Sequence, residues 1–561
     1  MEKIWLKSYP PQIAAEINPD AYQSLLEIFL RSCQLYADRP AFYNMGVTIT
    51  YAQLKKYSRD FAAYLQQKLK LKKGERLAIM LPNLLQYPVA LFGAFQAGLV
   101  VVNINPLYTA DELAYQLNDS GAQTLVVLEN FLSTVEKALP KMPRLKNIIV
   151  VRVGDLFPFL KAQLIHFVLK YIYRKIPAWH LPDVIYFKQT LKTGEHLSLH
   201  PVELNNQDNA FLQYTGGTTG VSKGAILTHR NLIANIQQAD MWFKNLLKEG
   251  EEIIITALPL YHIFSLTANC LFFSKIGGLN VLITNPRDIP GTIKEMGKFQ
   301  FTAITGVNTL FNALLKNSKF YQLDFSHLKL ALGGGMAVQK AVAEKWQATT
   351  KSPLLEAYGL TETSPCVTIN PADLKAYNGS IGLPVPSTEV IILDEEGQEV
   401  PIGSPGELGV KGPQVMQSYW HNPEETARTF TADGWLLTGD IATIDEAGFL
   451  RIKERKKDMI LVSGFNVYPN EIENVIGQMP GIREVAVVGV LDNNSGEIVK
   501  AFIVKEDPSL SKEAILAFAR EHLTPYKVPK KIEFRDELPK TNVGKILRRA
   551  LRNQPKSNNL A

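Results

Sequence analysis

The chain has 561 residues, too many for one ordinary hydrophobic core, so at least two domains are predicted. Apolar residues make up 46% and charged residues 20%, which fits a folded globular protein and argues against wholesale disorder. The net charge of +6 is mild for this length. It suits anionic substrates and does not predict a protein that binds nucleic acid.

The three cysteines, Cys33, Cys270 and Cys366, are far apart and odd in number. This pattern predicts neither a disulfide framework nor a zinc site, and it favours a reducing cytoplasm. The first twenty residues show no apolar run of signal-peptide length, and no stretch of eighteen apolar residues predicts a transmembrane helix.

Apolar runs typical of strands alternate with helix-like periodic segments in the first two thirds of the chain. This alternation predicts α/β layers with largely parallel sheets. The clearest predicted elements are strands at 76–81, 124–128, 252–257, 278–284 and 328–332 and a helix at 87–99.

The rest of the chain has a different pattern. Residues 386–450 contain short strands separated by Gly, Pro and Asp, which predicts a small antiparallel β unit. The charged run near 454–458 is followed by an α+β pattern with a helix at 470–479 and strands at 485–490 and 501–504. We therefore predict a large α/β domain of layered subdomains with the small β unit, residues 1–454, and a small mobile α+β domain, residues 455–561.

A Gly-rich loop at 214–224 (YTGGTTGVSKG) is the strongest local signal. Its glycines allow tight turns that point N–H groups at an anion, and its threonines and lysine add donors and charge. It is not a Walker A loop, because Ser222 precedes the lysine and Gly224 follows it. A surface loop is the plainer alternative. The candidate phosphate ligands are Thr215, Gly216, Gly217, Thr218, Thr219, Gly220 and Lys223.

Six further motifs follow this loop in order: 259–264 (PLYHIF), 333–337 (GGGMA), 356–364 (EAYGLTETS), 433–440 (DGWLLTGD), 455–466 (RKKDMILVSGFN) and 539–545 (PKTNVGK). Together they resemble the adenylate-forming superfamily of acyl-CoA synthetases, luciferases and peptide-synthetase adenylation domains. The resemblance covers nearly the whole chain, and within the superfamily the chain is most similar to bacterial long-chain fatty-acid–CoA ligases.

The resemblance implies ATP, Mg²⁺ and coenzyme A as ligands. It implies that Glu362 binds Mg²⁺, that Thr361 contacts the α-phosphate and that His262 lies beside the substrate carboxylate. Without it, Thr361 and Glu362 would be read as a helix start and His262 as a core residue. Some relatives have a Trp four residues after this histidine, where the present chain has Leu266.

The same resemblance supplies the remaining roles. The implied nucleotide contacts are Gly334, Gly335, Tyr358 and Gly359 for adenine and Asp440 and Arg455 for ribose or phosphate. Lys545 is the implied catalytic lysine, Gly464 the implied lining of the CoA tunnel and Lys457 the implied hinge. Each of three residues has a plainer alternative. Tyr358 could be a core tyrosine, Asp440 could be an ordinary turn residue, and Lys545 could belong to a solvated basic tail.

The expected reaction converts a long-chain fatty acid, ATP and CoA into acyl-CoA, AMP and diphosphate through an acyl-AMP intermediate. The alternatives are an acyl-AMP ligase that loads a carrier protein, a medium-chain acyl-CoA ligase, and a non-catalytic fatty-acid-binding or membrane-scaffold protein. The apolar segment 261–273 predicts a pocket for a long acyl chain.

Residues 155–180 predict an amphipathic helix with a polar stripe formed by Gln163, His166, Lys170 and Arg174. We expect this helix to contact the inner face of the cell membrane. Packing of the helix on the domain core is the alternative. Whether the chain forms a homodimer stays open at this stage.

Overall fold

The computed structural model describes residues 2–215, 222–462, 465–492, 496–541 and 546–552. Within these ranges the strands form four sheets, of nine, seven, four and five strands. We name them the first, second, third and C-terminal sheets in that order. The first two contain mostly parallel pairs, which confirms the predicted α/β class.

The first sheet is parallel in its interior and antiparallel at both edges. Its strands, in spatial order, are Leu383–Pro384, Cys366–Ile369, Leu354–Gly359, Leu330–Gly333, Ala303–Gly306, Ile253–Thr256, Leu279–Leu282, Pro40–Asn44 and Val47–Thr50. The predicted strands at 252–257, 278–284 and 328–332 are found here, with bounds that differ by one or two residues.

The second sheet is parallel except for its last pair. Its strands, in spatial order, are Ile185–Tyr186, Asn147–Val151, Thr124–Leu128, Arg76–Met80, Val100–Asn103, Asn209–Tyr214 and Gly224–Thr228. The last two strands flank the Gly-rich loop, so this loop connects two antiparallel neighbours at one edge of the sheet.

Helices cover the two large sheets, and several begin at a threonine whose hydroxyl accepts a backbone N–H. The helix Gln86–Gln96 is buried at every position, which explains why its sequence is apolar on all sides. The α-helices are Leu25–Leu35, Tyr51–Gln67, Gln86–Gln96, Ala110–Ser120, Leu132–Ala138, Phe159–Phe167, Phe187–Gly194, His229–Phe243, Ile263–Ser265, Phe272–Lys275, Ile289–Met296, Asn308–Leu315, Lys340–Thr350, Pro423–Thr429, Pro469–Ile476, Lys512–His522 and Arg548–Arg552.

The third sheet is the predicted antiparallel unit. Its strands are Glu389–Leu393, Gly406–Lys411, Leu436–Ile444 and Leu450–Arg455. The C-terminal sheet follows, with Phe465–Val467, Ile460–Val462, Gly496–Lys505, Ile482–Asp492 and Lys531–Phe534. The third sheet ends at Arg455 and the C-terminal sheet begins at Ile460.

The predicted helix over 155–180 is shorter than expected. It begins at Phe159, directly after Pro158, and continues through a π-helical turn at Val168–Ile172. The chain then turns at Arg174, whose φ of +50° is left-handed, so the helix cannot continue to residue 180. Among the described residues, the longest apolar helical stretch falls short of what is needed to cross a membrane.

Candidate active site

Three neighbouring strands of the first sheet end at glycines. Ala303–Gly306 and Leu330–Gly333 are parallel and their terminal glycines are paired in register. Leu354–Gly359 lies next to them and is also parallel. Ligands of α/β folds bind at this carboxyl edge of a sheet. The predicted adenine contacts Gly334 and Gly359 therefore lie at the expected edge.

The contact between Gly334 and Phe264 joins two of the predicted motifs. A Cβ on Gly334 would lie 3.0 Å from Cε1 of Phe264 and 3.2 Å from the carbonyl oxygen of Ala357. Gly335 has a φ of +75°, a conformation that side chains disfavour. Since Phe264 belongs to the predicted acyl segment 259–264, this contact places that segment against the predicted adenine loop.

Gly359 has a different reason to be glycine. A Cβ there would overlap the backbone carbonyl of Pro365 on the neighbouring strand. Close approach of two backbones explains this residue without a ligand.

Asp440 connects two predicted residues, and we call Tyr358, Asp440 and Arg455 the Asp440 triad. The hydroxyl of Tyr358 donates to Oδ2 of Asp440 at 2.6 Å, and Nε of Arg455 lies 2.8 Å from Oδ1. Asp440 and Arg455 are opposite each other on adjacent strands of the third sheet. Burial, together with the negative charge of Asp440, raises the pKa of Tyr358 well above its usual value. The triad is thus built around a buried carboxylate that Tyr358 and Arg455, both half-buried, hold from two sides.

Glu362 lies in a short 3₁₀ turn, Thr361–Thr363, beside a tyrosine that the sequence analysis missed. The hydroxyl of Tyr419 donates to Oε1 of Glu362 at 2.6 Å. Burial and the nearby carboxylate raise the pKa of Tyr419. The hydrogen bond fixes one carboxylate oxygen of Glu362 and leaves acceptor capacity on the side chain.

Residues 416–425 form a segment that touches both the Glu362 turn and the strand after the Gly-rich loop. The N–H of Met416 donates to the carbonyl of Glu362 at 2.7 Å. The N–H of Trp420 donates to the carbonyl of Gly224 at 2.7 Å, and Tyr419 forms an antiparallel bridge with Ala225. This segment therefore sets the distance between the two predicted phosphate-side motifs.

Lys223 is paired with a residue of the same segment. Its Nζ contacts Oε1 of Glu425 and lies 5.4 Å from the ring centroid of Tyr419. Thr215, at the other end of the loop, donates its N–H to the carbonyl of Lys223 at 2.9 Å. The two ends of the Gly-rich loop are thus joined, and the lysine is held by Glu425 rather than directed into open space.

A buried asparagine holds the backbone before His262. Nδ2 of Asn83 donates to the carbonyls of Thr256 and Leu258 at 3.0 and 2.9 Å, and its Oδ1 accepts from the N–H of Leu260 at 2.8 Å. Three hydrogen bonds from one side chain fix this loop. The signal in the sequence was a polar residue within an apolar stretch at 81–85.

His262 caps the short helix Ile263–Ser265. Its Nδ1 accepts a hydrogen bond from the N–H of Phe264 at 3.3 Å, which places the proton of the neutral ring on Nε2. The following residues are mostly buried, and Leu266 begins a π-helical turn that ends at Leu271. The predicted acyl segment is thus internal, as its composition indicated.

Glu356 is a buried carboxyl group behind the Gly334 loop that the sequence analysis did not single out. Its Oε1 accepts from the N–H of Val338 at 2.8 Å, and burial raises its pKa to about 8. The hydroxyl of Tyr377 donates to the carbonyl of Val338 at 3.0 Å. Glu356 and Tyr377 together fix the far end of the loop that begins at Gly334.

The predicted hinge Lys457 lies in the turn Lys456–Asp458 between the third and C-terminal sheets. Burial lowers its pKa. Lys545, Gly464 and the loop residues Gly216, Gly217, Thr218, Thr219 and Gly220 lie outside the described residues. The structure thus describes the predicted nucleotide side of the site and the residues that flank the Gly-rich loop and the loop of Lys545.

Comparison with known proteins agrees with this arrangement. Residues 29–420 match the AMP-binding enzyme family, and residues 471–545 match the AMP-binding enzyme C-terminal domain. The chain is 59% identical to a long-chain-fatty-acid–CoA ligase of Escherichia coli O6:H1 over 99% of this chain and 98% of the relative. It is 50% identical to the corresponding ligase of Haemophilus influenzae over 99% of each chain.

Solved structures show the same fold. An anthranilate–CoA ligase in complex with anthranoyl-AMP superimposes with a TM-score of 0.83 at 26% identity, over 94% of this chain and 96% of that one. An o-succinylbenzoate–CoA synthetase from Bacillus subtilis, in complex with its acyl-adenylate, gives a TM-score of 0.77 at 26% identity, over 95% and 99%. The motifs, the fold and these similarities lead to one conclusion: the chain belongs to the AMP-binding enzyme family of adenylate-forming enzymes.

Proposed function

We propose that the chain activates a long-chain fatty acid with ATP as an acyl-AMP and transfers the acyl group to coenzyme A. One observation carries this proposal: Phe264 of the acyl segment contacts Gly334, whose strand runs beside the strand of Tyr358 and its Asp440 triad. The residues that we propose for the acyl chain and for the nucleotide therefore lie at one sheet edge. The similarity to long-chain ligases at up to 59% identity supports the choice of substrate.

The first half-reaction joins two anions, the fatty carboxylate and the α-phosphate. The carboxylate is already a nucleophile, so the protein must supply position and positive charge rather than a base. We assign charge neutralisation to Lys545 and the Gly-rich loop, contact with the α-phosphate to Thr361 and orientation of the carboxylate to His262. The carboxylate oxygen bonds to the α-phosphorus, and diphosphate leaves.

Glu362 is the residue we propose for Mg²⁺. Among the described residues, His, Cys, Asp and Glu side chains do not gather in groups of three or more that could hold a metal ion. Mg²⁺ commonly uses one or two carboxylates together with substrate phosphates and water, so a single carboxylate with spare acceptor capacity fits this ion. Bound there, the ion would neutralise phosphate charge.

For the second half-reaction we propose domains with bounds 1–454 and 455–561 that rotate about Lys457. The thiol sulfur of CoA attacks the acyl carbonyl, and AMP leaves with the former carboxylate oxygen. Gly464 would line the path of the pantetheine chain, where the lack of a side chain leaves room. The turn Lys456–Asp458 between two sheets is a suitable place for such a hinge.

The test of this function is diphosphate release across carboxylic acids from acetate to oleate, with CoA or a carrier protein as acceptor. We expect catalytic efficiency to rise with chain length, since each buried methylene contributes about 0.8 kcal/mol. Equal efficiency on acetate and palmitate would contradict the long-chain proposal. A maximum at medium length, or transfer only to a carrier protein, would support the alternatives instead.

We also propose that the chain works in the cytoplasm, at the inner face of the cell membrane, through the helix Phe159–Phe167 and the turn Val168–Ile172, which we call the exposed helix. Several of its apolar side chains are open to solvent: Leu160 is 82%, Phe159 68% and Leu164 62% exposed. The opposite face packs on the domain, where Ala162, Ile165 and Leu169 contact the core and His166, predicted to be part of the polar stripe, is paired with the buried Glu129. Apolar groups exposed together on one helix indicate an interaction surface.

The occupant that fits the exposed helix best is an anionic lipid surface. Residues 156–182 contain no Asp or Glu but include Lys161, Lys170, Arg174 and Lys175. Basic residues around apolar ones are typical of helices that lie in the lipid interface. A homodimer, the other partner considered, has no described contact in its favour and stays a prediction for light scattering to check.

A further inference from the structure

Arg548 is the centre of a shielded ion-pair cluster. Its Nη1 lies 2.9 Å from Oε1 of Glu454, and its Nη2 lies 2.7 Å from Oε2 of Glu473 and 2.6 Å from Oδ1 of Asn470. The side chain of Glu454 is 0% exposed and that of Arg548 is 15% exposed. Removing one partner of an ion pair with so little contact with water is costly, because the remaining charge is left buried and uncompensated.

Three carboxylates pair with Arg548, and Glu454 and Glu473 lie on different sides of the proposed hinge, whereas Asp458, 3.5 Å from Nη1, lies in the hinge turn itself. Glu454 belongs to the strand Leu450–Arg455 of the third sheet and precedes Lys457. Glu473 belongs to the helix Pro469–Ile476, which packs on the C-terminal sheet. Rotation about Lys457 would leave the Arg548–Glu473 pair intact and would separate Arg548 from Glu454. The Arg548–Glu454 pair is therefore specific to one domain arrangement.

The same pair lies between the nucleotide side of the site and the loop that carries Lys545. Glu454 is followed by Arg455, a member of the Asp440 triad. The base of the lysine loop is closed by a hydrogen bond from the N–H of Leu547 to the carbonyl of Pro539, at 2.8 Å. Arg548 follows directly. Fixing Arg548 to Glu454 thus fixes the base of that loop relative to the triad.

We propose that Arg548 and Glu454 form a clasp across the hinge that positions the Lys545 loop for adenylation and opens for thioester formation. The inference rests on the proposed function. Arg548 acts here as a positioning residue, because its described contacts are with the protein's own side chains. Hydrogen bonds to charged groups contribute enough that losing one can shift an equilibrium about ten-fold.

The experiment measures the two half-reactions separately in the full-length chain. Adenylation is followed as ATP–diphosphate exchange with palmitate, and thioester formation as acyl-CoA made from synthetic palmitoyl-AMP and CoA. The variants are Arg548→Met and Glu454→Gln, which break the clasp, and Glu473→Gln, which weakens only the pair within the small domain. Arg549→Met is the matched control, since Arg549 is the next residue of the same helix and is exposed.

We expect Glu454→Gln and Arg548→Met to lower the ratio of adenylation to thioester formation about ten-fold. Glu473→Gln should change both rates alike, and Arg549→Met should change neither. An unchanged ratio in Glu454→Gln, in a variant whose melting temperature is normal, would overturn the clasp. Lys545→Ala tests the proposed function separately from the clasp. If this variant keeps normal adenylation, the role proposed for Lys545 is wrong, independently of the results for Glu454→Gln and Arg548→Met.

Discussion

The Asp440 triad and the exposed helix are built in opposite ways. The triad joins residues that lie 15 to 97 positions apart in the sequence, and its central carboxylate is buried and bonded to the other two side chains. The exposed helix is one continuous stretch in which one face of apolar side chains is open to solvent while the other packs on the core. A buried polar cluster and an exposed apolar patch both depart from the usual distribution of residues, and both are therefore candidates for function.

The two regions therefore call for different kinds of substitution. The triad depends on the register that places Asp440 opposite Arg455 in the third sheet, so substitutions there test whether these hydrogen bonds matter. The exposed helix depends on composition, so substitutions there test surface chemistry. The two regions should respond independently, since residues far apart with no shared partners contribute additively.

The largest expected effect is at Lys545, the lysine that we propose for adenylation. Lys545→Ala should lower adenylation about a hundred-fold or more, because it removes a preorganised cation from the transition state. Thioester formation from synthetic acyl-AMP should stay near the wild-type rate. Gly464→Leu should show the reverse, with adenylation preserved and CoA excluded. Circular dichroism controls for unfolding, and equal loss in both half-reactions of Lys545→Ala would contradict the two-conformation account.

Glu356 gives a prediction about pH. Its pKa is raised to about 8, so between about pH 4.5 and 8 the folded protein holds a proton that the unfolded chain has released. The free energy of unfolding should therefore fall as pH rises through this window, by up to about 1.4 kcal/mol per pH unit from this group.

Glu356→Gln should remove that contribution, because its amide oxygen can still accept from Val338. Urea unfolding of both proteins at several pH values measures the difference. Parallel curves for the wild type and the variant would show that Glu356 ionises normally.

Substitution in the Asp440 triad should lower ATP affinity more than substitution in an ion pair on the protein surface. Asp440→Asn weakens two buried hydrogen bonds, so we expect ATP affinity to fall about ten-fold. Asp445→Asn is the control, because its pair with Arg451 is partly exposed and such pairs contribute about 0–1 kcal/mol. Calorimetric titration with ATP distinguishes them, and equal affinity in both variants would remove the triad from the nucleotide site.

The exposed helix should have the smallest effect on catalysis, because it takes no part in the proposed chemistry. Lys170→Glu with Arg174→Glu should lower binding to vesicles of anionic phospholipid about thirty-fold, since each of the two basic residues near such a surface contributes about 1 kcal/mol. Leu491→Glu is the control, because Leu491 is exposed on the small domain. Unchanged sedimentation with vesicles would contradict the membrane proposal, and a loss of activity on a soluble medium-chain acid would indicate a structural role.

Sequence reasoning found what short motifs encode and missed what only tertiary contacts create. Tyr358, Asp440 and Arg455 were singled out because each lies in a recognisable motif; the structure brings them into contact, and their role toward the nucleotide stays a prediction. Tyr419 was missed because its hydrogen bond reaches Glu362 across 57 residues, and no local pattern records such a contact. Glu425 was missed for the same reason, since its partner Lys223 lies 202 residues away.

The strands of the two large sheets were placed well because buried parallel strands are continuous apolar runs. The helix at 155–180 was drawn too long because its periodicity continues past the point where the backbone turns. The left-handed conformation of Arg174 ends the helix, and an arginine in the sequence does not predict this backbone conformation. The end of that helix therefore had to come from the structure.

The segment 416–425 has a consequence for how members of this family can vary. It is bonded at Met416 to the Glu362 turn and at Trp420 to the strand after the Gly-rich loop. Three residues lie between these two points, so the number of residues in the segment fixes the distance between the Glu362 turn and that strand. Side chains along it can change freely where they face solvent, whereas insertion or deletion of one residue would shift a whole row of backbone hydrogen bonds. Length, more than sequence, is the property that this stretch has to preserve.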